Sequence, residues 1–230
     1  MHLKALSTIL NNYHAQEIPP CNYSFPVAST EAFFDVAHLI GSVGIGATIG
    51  LSDRLARTDP QLAELVASIL AVESRHDAFF RHIRGNVPNP APFDTGINGV
   101  WAYNAALSFI TPGSCPFVIP APVLPKLTIR TDISSFRMNI TSNTTKSLSW
   151  DSEQMPFVVN KGKPLLVGWV NQVDTPVYTA LNITGQGRGS AEVPHGMNGV
   201  AFAAVTTEAY DSVNDLAMGT LAGPVVVSIS

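Results

Sequence analysis

Residues 59–85, DPQLAELVASILAVESRHDAFFRHIRG, decide the fold. Asp59 is a natural N-cap, Pro60 suits the first helical position, where its missing N–H costs nothing, and Gly85 suits the residue after the last turn. Between them Leu62, Val66, Ile69, Glu73, His76, Phe80 and Ile83 recur in alternating steps of four and three, the spacing of one helix face. Glu73 and His76 therefore stand where apolar side chains belong. A carboxylate in such a stripe is costly unless it is paired, hydrogen-bonded or bound to a metal. Glu-x-x-His on a bundle helix directs both side chains at one metal ion inside a four-helix bundle. A local Glu73–His76 hydrogen bond, or a pair with Arg75 or Arg81, is the bland alternative.

The stretch before this helix reads AFFDVAHLIGSVGIGATIGL over residues 32–51. It is long enough to span a bilayer, but Asp35 and His38 make it a buried core helix instead. It starts at Ser29 or Thr30, good N-caps, runs to about Arg57, and carries the stripe Phe34, His38, Gly41, Ile45, Thr48. Gly41, Gly44, Gly46 and Gly50 each cost about 1 kcal/mol of helix propensity against Ala, which implies closely packed neighbours or room for a ligand. Asp35 reads as a wet-flank residue. Residues 1–14 have helical spacing, and 15–28 form a Pro-rich loop around Cys21. Residues 86–96 are a Pro-rich connection, 97–110 a shorter helix, and 112–125 a second Pro-rich stretch around Cys115.

From Lys126 onward short β-branched runs replace helical periodicity, at 127–131, 136–141, 156–159, 165–170, 179–184, 200–205 and 225–229. That pattern suits an antiparallel β-sandwich. The chain reads as α+β in two domains, a helical bundle over 1–122 and a β-sandwich over 123–230.

Charged residues are 13% of the 230-residue chain, against about 25% in an average globular protein. Mean hydropathy is +0.20 and formal net charge −4. No Lys/Arg cluster offers a footprint for a phosphate backbone, so nucleic acid is not a partner. Asn22, Asn139, Asn143 and Asn182 each begin an N-glycosylation sequon. Together with low charge and two loop cysteines they favour an oxidising compartment and a Cys21–Cys115 disulfide, with two unpaired thiols as the alternative. Residues 1–16 lack the apolar core of a secretory signal, so secretion implies a leader outside this sequence. No nucleophile elbow, Walker loop or dinucleotide fingerprint is present. Gly185 to Gly189 read as a turn between strands, and His195 and Met197 as loop residues.

The runs CNYSFPV, SILAVESRHDAFFRHIRG, NPAPFDT and FITPGSCP, with the closing VPHGMNGVAF and LAGPVVVSIS, resemble the fungal ferritin-like family of stress-response and late-sexual-development proteins. Plant desiccation-related proteins are its more distant members. The resemblance implies a ferritin-like bundle followed by a β-sandwich, and supports the Cys21–Cys115 bridge. It also implies metal ligands: His2 sits where a second-helix histidine belongs, and Glu73 and His76 match the Glu-x-x-His helix. The departures are large. The family's first helix and the glutamate preceding His2 by three positions have no counterpart, and Gly41 stands where another ligand glutamate is expected. His2, Glu73 and His76 remain, with His38 as a weak substitute.

An intact di-iron centre needs several carboxylates to offset two cations. This set fits a single Fe or Zn ion, or none. The leading expectation is a secreted or cell-wall-associated stress or developmental protein with a degenerate carboxylate–histidine site, not an efficient iron oxidase. One alternative is a metal-independent enzyme of cyclase or pericyclase type, from a fungal biosynthetic pathway, holding an apolar small molecule in the bundle cleft. Another is a structural cell-wall or matrix protein. The groove left without a first helix suggests a homo-oligomer.

Overall fold

The computed structural model describes residues 2–130, 139–151, 164–173 and 175–229. Helices α1 (His2–Asn12), α2 (Thr30–Thr58), α3 (Ala63–Ile83) and α4 (Gly99–Ala106) come first. Strands β1 (Leu127–Arg130), β2 (Asn139–Ile140), β3 (Thr145–Trp150), β4 (Leu166–Asn171), β5 (Val177–Ala180), β6 (Asn182–Gly185), β7 (Arg188–Glu192) and β8 (Gly199–Thr206) follow. A short helix α5 (Val213–Met218) and strand β9 (Ala222–Ile229) end the chain. The expected order, a helical region and then a two-sheet β-sandwich, is what the chain forms.

Local chemistry sets the helix ends. The Ser29 hydroxyl accepts from the Ala32 N–H at 3.1 Å and starts α2, and Asn98 accepts from the Trp101 N–H at 3.0 Å to start α4. Asp59 behaves differently from the expected cap. Its backbone N–H donates to the Leu55 carbonyl and closes α2, and its side chain caps nothing. Residues Pro60–Leu62 then form one 3₁₀ turn before α3, because the chain must reverse from α2 into α3 without a spacer.

The sheets run β1-β3-β7-β6 and β2-β9-β8-β4-β5. Among the described residues the pairings are antiparallel except β2 with β9, which is parallel and departs from a purely antiparallel sandwich. β3 and β7 were not separated out by the sequence pattern; the stretch at 179–184 divides at Leu181 into β5 and β6. The run at 156–159 lies outside the described residues.

β8 explains the architecture. Ala201, Ala203 and Val205 face the four-stranded sheet in one core, with Trp169 and Leu148. Phe202 and Ala204 face the opposite way, into a second core with Ile97, Trp101 and Leu216. A strand covered on both faces reads as an unbroken apolar run, because neither side can be polar. The five-stranded sheet is therefore a middle layer between the other sheet and helices α2, α4 and α5. α2 is long and apolar enough by composition to cross a membrane, yet it packs on α3, α4 and this sheet.

Two of its glycines make that packing possible. The Ile97 N–H donates to the Gly46 carbonyl at 3.0 Å. A Cβ at Gly46 would meet the Thr95 carbonyl at 2.8 Å, and one at Gly50 would overlap the Ile97 carbonyl. The disulfide Cys21–Cys115 is formed. Beside it Tyr23 bridges Ile110, and the Thr111 N–H donates to Asn22 at 2.9 Å, so the 21–25 loop is tied to the end of α4.

Candidate metal centre and the ion network beside it

α3 positions both groups of side chains. Its buried residues are Val66, Asp77 and Arg81, a stripe rotated by roughly one residue from the expected one. Glu73 and His76 consequently lie on the flank, with side chains 34% and 59% exposed. The expectation that both point into the core is corrected: Glu73 is half-buried and His76 is at the surface.

The three expected remnant ligands do converge. His2 Nδ1 on α1 lies 3.0 Å from Glu73 Oε1, and His76 Nδ1 lies 3.3 Å from Oε2. One carboxylate thus holds two imidazoles from two helices, one on each oxygen. This contact ties α1 to α3, and beyond the ends of the two helices Gln61 Nε2, on the 3₁₀ turn, donates to the hydroxyl of Tyr13, the residue after α1, at 2.7 Å.

One turn deeper lies a network that the sequence pattern did not single out. His38 Nδ1 is 2.7 Å from Asp77 Oδ1, and His38 Nε2 is 3.2 Å from an Arg81 guanidinium nitrogen. A guanidinium only donates, so Nε2 is the acceptor and the neutral ring carries its proton on Nδ1, donated to Asp77. Both ring nitrogens of His38 are engaged, which leaves no free lone pair for a metal in this arrangement. Ser42 supports it by donating to the His38 carbonyl at 2.9 Å. Arg81 Nε donates to the Val87 carbonyl at 2.8 Å, and a terminal nitrogen reaches the Ser228 hydroxyl on β9 at 3.4 Å. Burial pushes the Arg81 guanidinium below its ordinary value, and Asp77 and Asp94 pull it back up. Asp35 is not on a wet flank: it forms a largely buried pair with Arg84 at 2.8 and 3.2 Å.

Gly41 shows how the two sites relate. A Cβ there would sit 3.1 Å from Asp77 Oδ1, so the space beside the position where a ligand glutamate is expected belongs to the Asp77 carboxylate. A signal for Asp77 and Arg81 was available in sequence. Val66, Leu70, Asp77, Arg81 and Arg84 follow helical spacing too, but a stripe holding three charges scores as the solvated face. Elsewhere, Met197 is a core residue and His195 is exposed.

Three cavities border these elements among the described residues, one of about 590 Å³ between the C-terminal half of α2 and residues 98–100 and 120–121. A cleft of about 330 Å³ is lined by Ser74, Asp77, Arg81, Asp94 and the prolines of the 88–92 loop. A more apolar cavity of about 490 Å³ lies where α2 and α4 meet β1 and β9, lined by Leu39, Val43, Phe109, Leu124, Lys126 and Val225. Gly44 lines none of these, and a Cβ on it would meet nothing.

Residues 1–86 match the ferritin-like domain family. The ferritin-like region thus comprises α1, α2 and α3, including His2, His38, Glu73, His76, Asp77 and Arg81. No curated protein matches the chain. The chemistry of the donors also tests whether a ferritin-like dinuclear centre fits. Glu73 is the sole carboxylate in the His2–Glu73–His76 cluster. Asp77 and Asp35, the nearest buried carboxylates of the ferritin-like region, are already neutralised by Arg81 with His38 and by Arg84. Two divalent cations against one carboxylate would leave three uncompensated charges in a half-buried site, so a dinuclear centre does not fit. A single ion does.

Proposed function

We propose that this is a ferritin-like stress or developmental protein of fungal type, working outside the cytosol, whose ancestral dinuclear site has contracted to a single-ion or metal-free cluster. The observation that carries it is the convergence of His2 and His76 on the two oxygens of Glu73 while Gly41 and Asp77 close the neighbouring position. Glu73 would supply the one charged ligand and His2 and His76 the two neutral ones, with remaining positions open to water. A bound ion would act there as a Lewis acid or as a cross-link between α1 and α3. The chain's own residues hold α1 in place through the same contacts. Secretion is supported by the Cys21–Cys115 disulfide and by exposed sequon residues Asn22, Asn143 and Asn182. The Asn139 side chain lies outside the described residues.

The test is metal analysis of the purified chain followed by Co²⁺ titration read by visible absorption. One cobalt per chain, lost in Glu73→Gln, is the expected result. Two irons per chain in the isolated protein would overturn it.

A second reading is favoured by the 490 Å³ cavity, whose size falls within the range of small-molecule sites. It lies at the seam of helices and sheets, not in the bundle cleft where a cyclase-type site was expected. Lys126 is its single titratable lining residue, so it supports binding of an apolar molecule more than acid–base catalysis.

A further inference from the structure

The cleft between α3 and the 88–92 loop has recognition groups built into its wall. Arg81 and Asp77 line it and are only 5% and 8% exposed. Each uses part of its bonding capacity inside the protein. Arg81 donates from Nε to Val87 and from Nη1 to His38 and Ser228, and Asp77 engages His38 through Oδ1. Arg81 Nη2 and Asp77 Oδ2 have no hydrogen-bond partner among the described residues, yet no fully buried side-chain nitrogen or oxygen among them is left unpaired. These two atoms are therefore open, and what they open onto is the cleft. The rim adds Asp94, whose Oδ2 accepts from the Ser74 hydroxyl at 3.2 Å and whose Oδ1 stays available. It also adds the Asn89 amide, which has no partner among the described residues, and the Phe93 ring, 56% exposed. Three prolines stiffen the loop, and a Cβ at Gly199 would meet Ala91 at 3.0 Å, so the loop is seated on the start of β8. The walls are fixed before a ligand arrives.

We propose that this cleft binds a neutral saccharide of one or two rings. The charges select it. Two carboxylates and one guanidinium share the cleft, so an anionic ligand would be repelled by Asp77 and Asp94, and a simple cation would meet Arg81. A hydroxyl donates to a carboxylate and accepts from a guanidinium, and two neighbouring hydroxyls do both at once. Phe93 offers an apolar face to the C–H groups of a sugar ring. The volume of about 330 Å³ lies near the lower end of small-molecule sites, roughly 300–1,000 Å³, which suits one or two rings. None of His2, Glu73 and His76 lines the cleft, so the site does not depend on the metal reading.

NMR titration of the full chain with cellobiose, maltose and N,N′-diacetylchitobiose tests this. At least one is expected to bind with a dissociation constant of about 1 mM or tighter. It should shift the Arg81 Nε–H signal, which the Val87 bond protects from exchange, while that of Arg84, paired with Asp35, stays in place. Substitutions at Asp77 or Arg81 would disturb the buried network, so the variants are made on the exposed rim. Phe93→Ala and Asn89→Ala should each weaken binding by about tenfold. No shift of the Arg81 signal with any of the three sugars at about 50 mM would overturn the proposal. So would tighter binding of glucosamine or glucuronate than of glucose, or an affinity unchanged in both rim variants.

Discussion

Asp77→Ala should be far more damaging than Glu73→Ala, although the two carboxylates are one helical turn apart on α3. Asp77 is buried and holds the Nδ1 proton of His38 at 2.7 Å, and its charge offsets that of buried Arg81. Removing it leaves a guanidinium hydrogen-bonded only to a neutral imidazole, a carbonyl and a hydroxyl, with the weaker influence of Asp94 as the remaining counter-charge. Breaking a buried pair in this way costs about 3–5 kcal/mol. For a chain of this size each kcal/mol lowers Tm by about 2–4 °C, so the expected fall is roughly 6–20 °C. Glu73 contacts His2 and His76 on an open flank, where such pairs contribute at most about 1 kcal/mol. Urea unfolding followed by the fluorescence of buried Trp101, Trp150 and Trp169 measures both, with calorimetry as the check on Tm. Adding Arg81→Met to Asp77→Ala should recover part of the loss, because an apolar side chain there needs no counter-charge. An Asp77→Ala protein within about 1 kcal/mol of Glu73→Ala would refute the assignment of a buried ion network.

Two further outcomes follow from other parts of the fold. The Tyr178 hydroxyl donates to the Tyr210 carbonyl at 2.9 Å and accepts from the Tyr210 N–H at 2.8 Å, and burial pushes its phenol above the ordinary value. The unfolded chain therefore releases that proton first as pH rises above about 10, so stability present below pH 10 declines from there; Tyr178→Phe should cost about 1–2 kcal/mol near neutrality and flatten the alkaline decline in a pH series of urea midpoints. Replacing Cys21 and Cys115 with Ser opens a loop of 94 residues, which should lower stability by about 4–5 kcal/mol in the chain-entropy account; a denaturant midpoint unchanged from wild type would contradict it.

The order of helices and strands was legible because each boundary has local chemistry: Ser29, Asn98, and the Pro-rich stretches around both cysteines. β4, β8 and β9 were legible because they are covered on both faces and carry unbroken apolar runs. β3 was hidden because Ser147 and Ser149 alternate with Leu148 and Trp150, and the polar half dominates a short window. The site was half legible. His2 and His76, named with Glu73 from the family resemblance, both contact that carboxylate, but the periodicity could not fix the rotation of α3. Glu73 and His76 compete with Asp77 and Arg81 for the inward face, and all four are polar. Which pair wins is decided from outside the helix, by His38 on α2 and Ser228 on β9, residues 39 and 147 positions away in sequence from their partners.

That outside decision links the fate of the ferritin-like site to the β half of the molecule. A glutamate at position 41 would have to share with Asp77 the space that a Cβ already approaches to 3.1 Å. With Gly41 in place, Asp77 is free to take the histidine on α2, and the histidine in turn takes Arg81. Arg81 then reaches past the bundle to Val87 and to Ser228 at the end of β9. A carboxylate that in a dinuclear centre would answer a cation from solution here answers a cation of the chain itself, and that cation joins α3 to the central sheet. Introducing a carboxylate with Gly41→Glu would therefore not create a metal site by itself. It would first have to displace the Asp77–His38–Arg81 network, and with it a contact between the helices and the sheet.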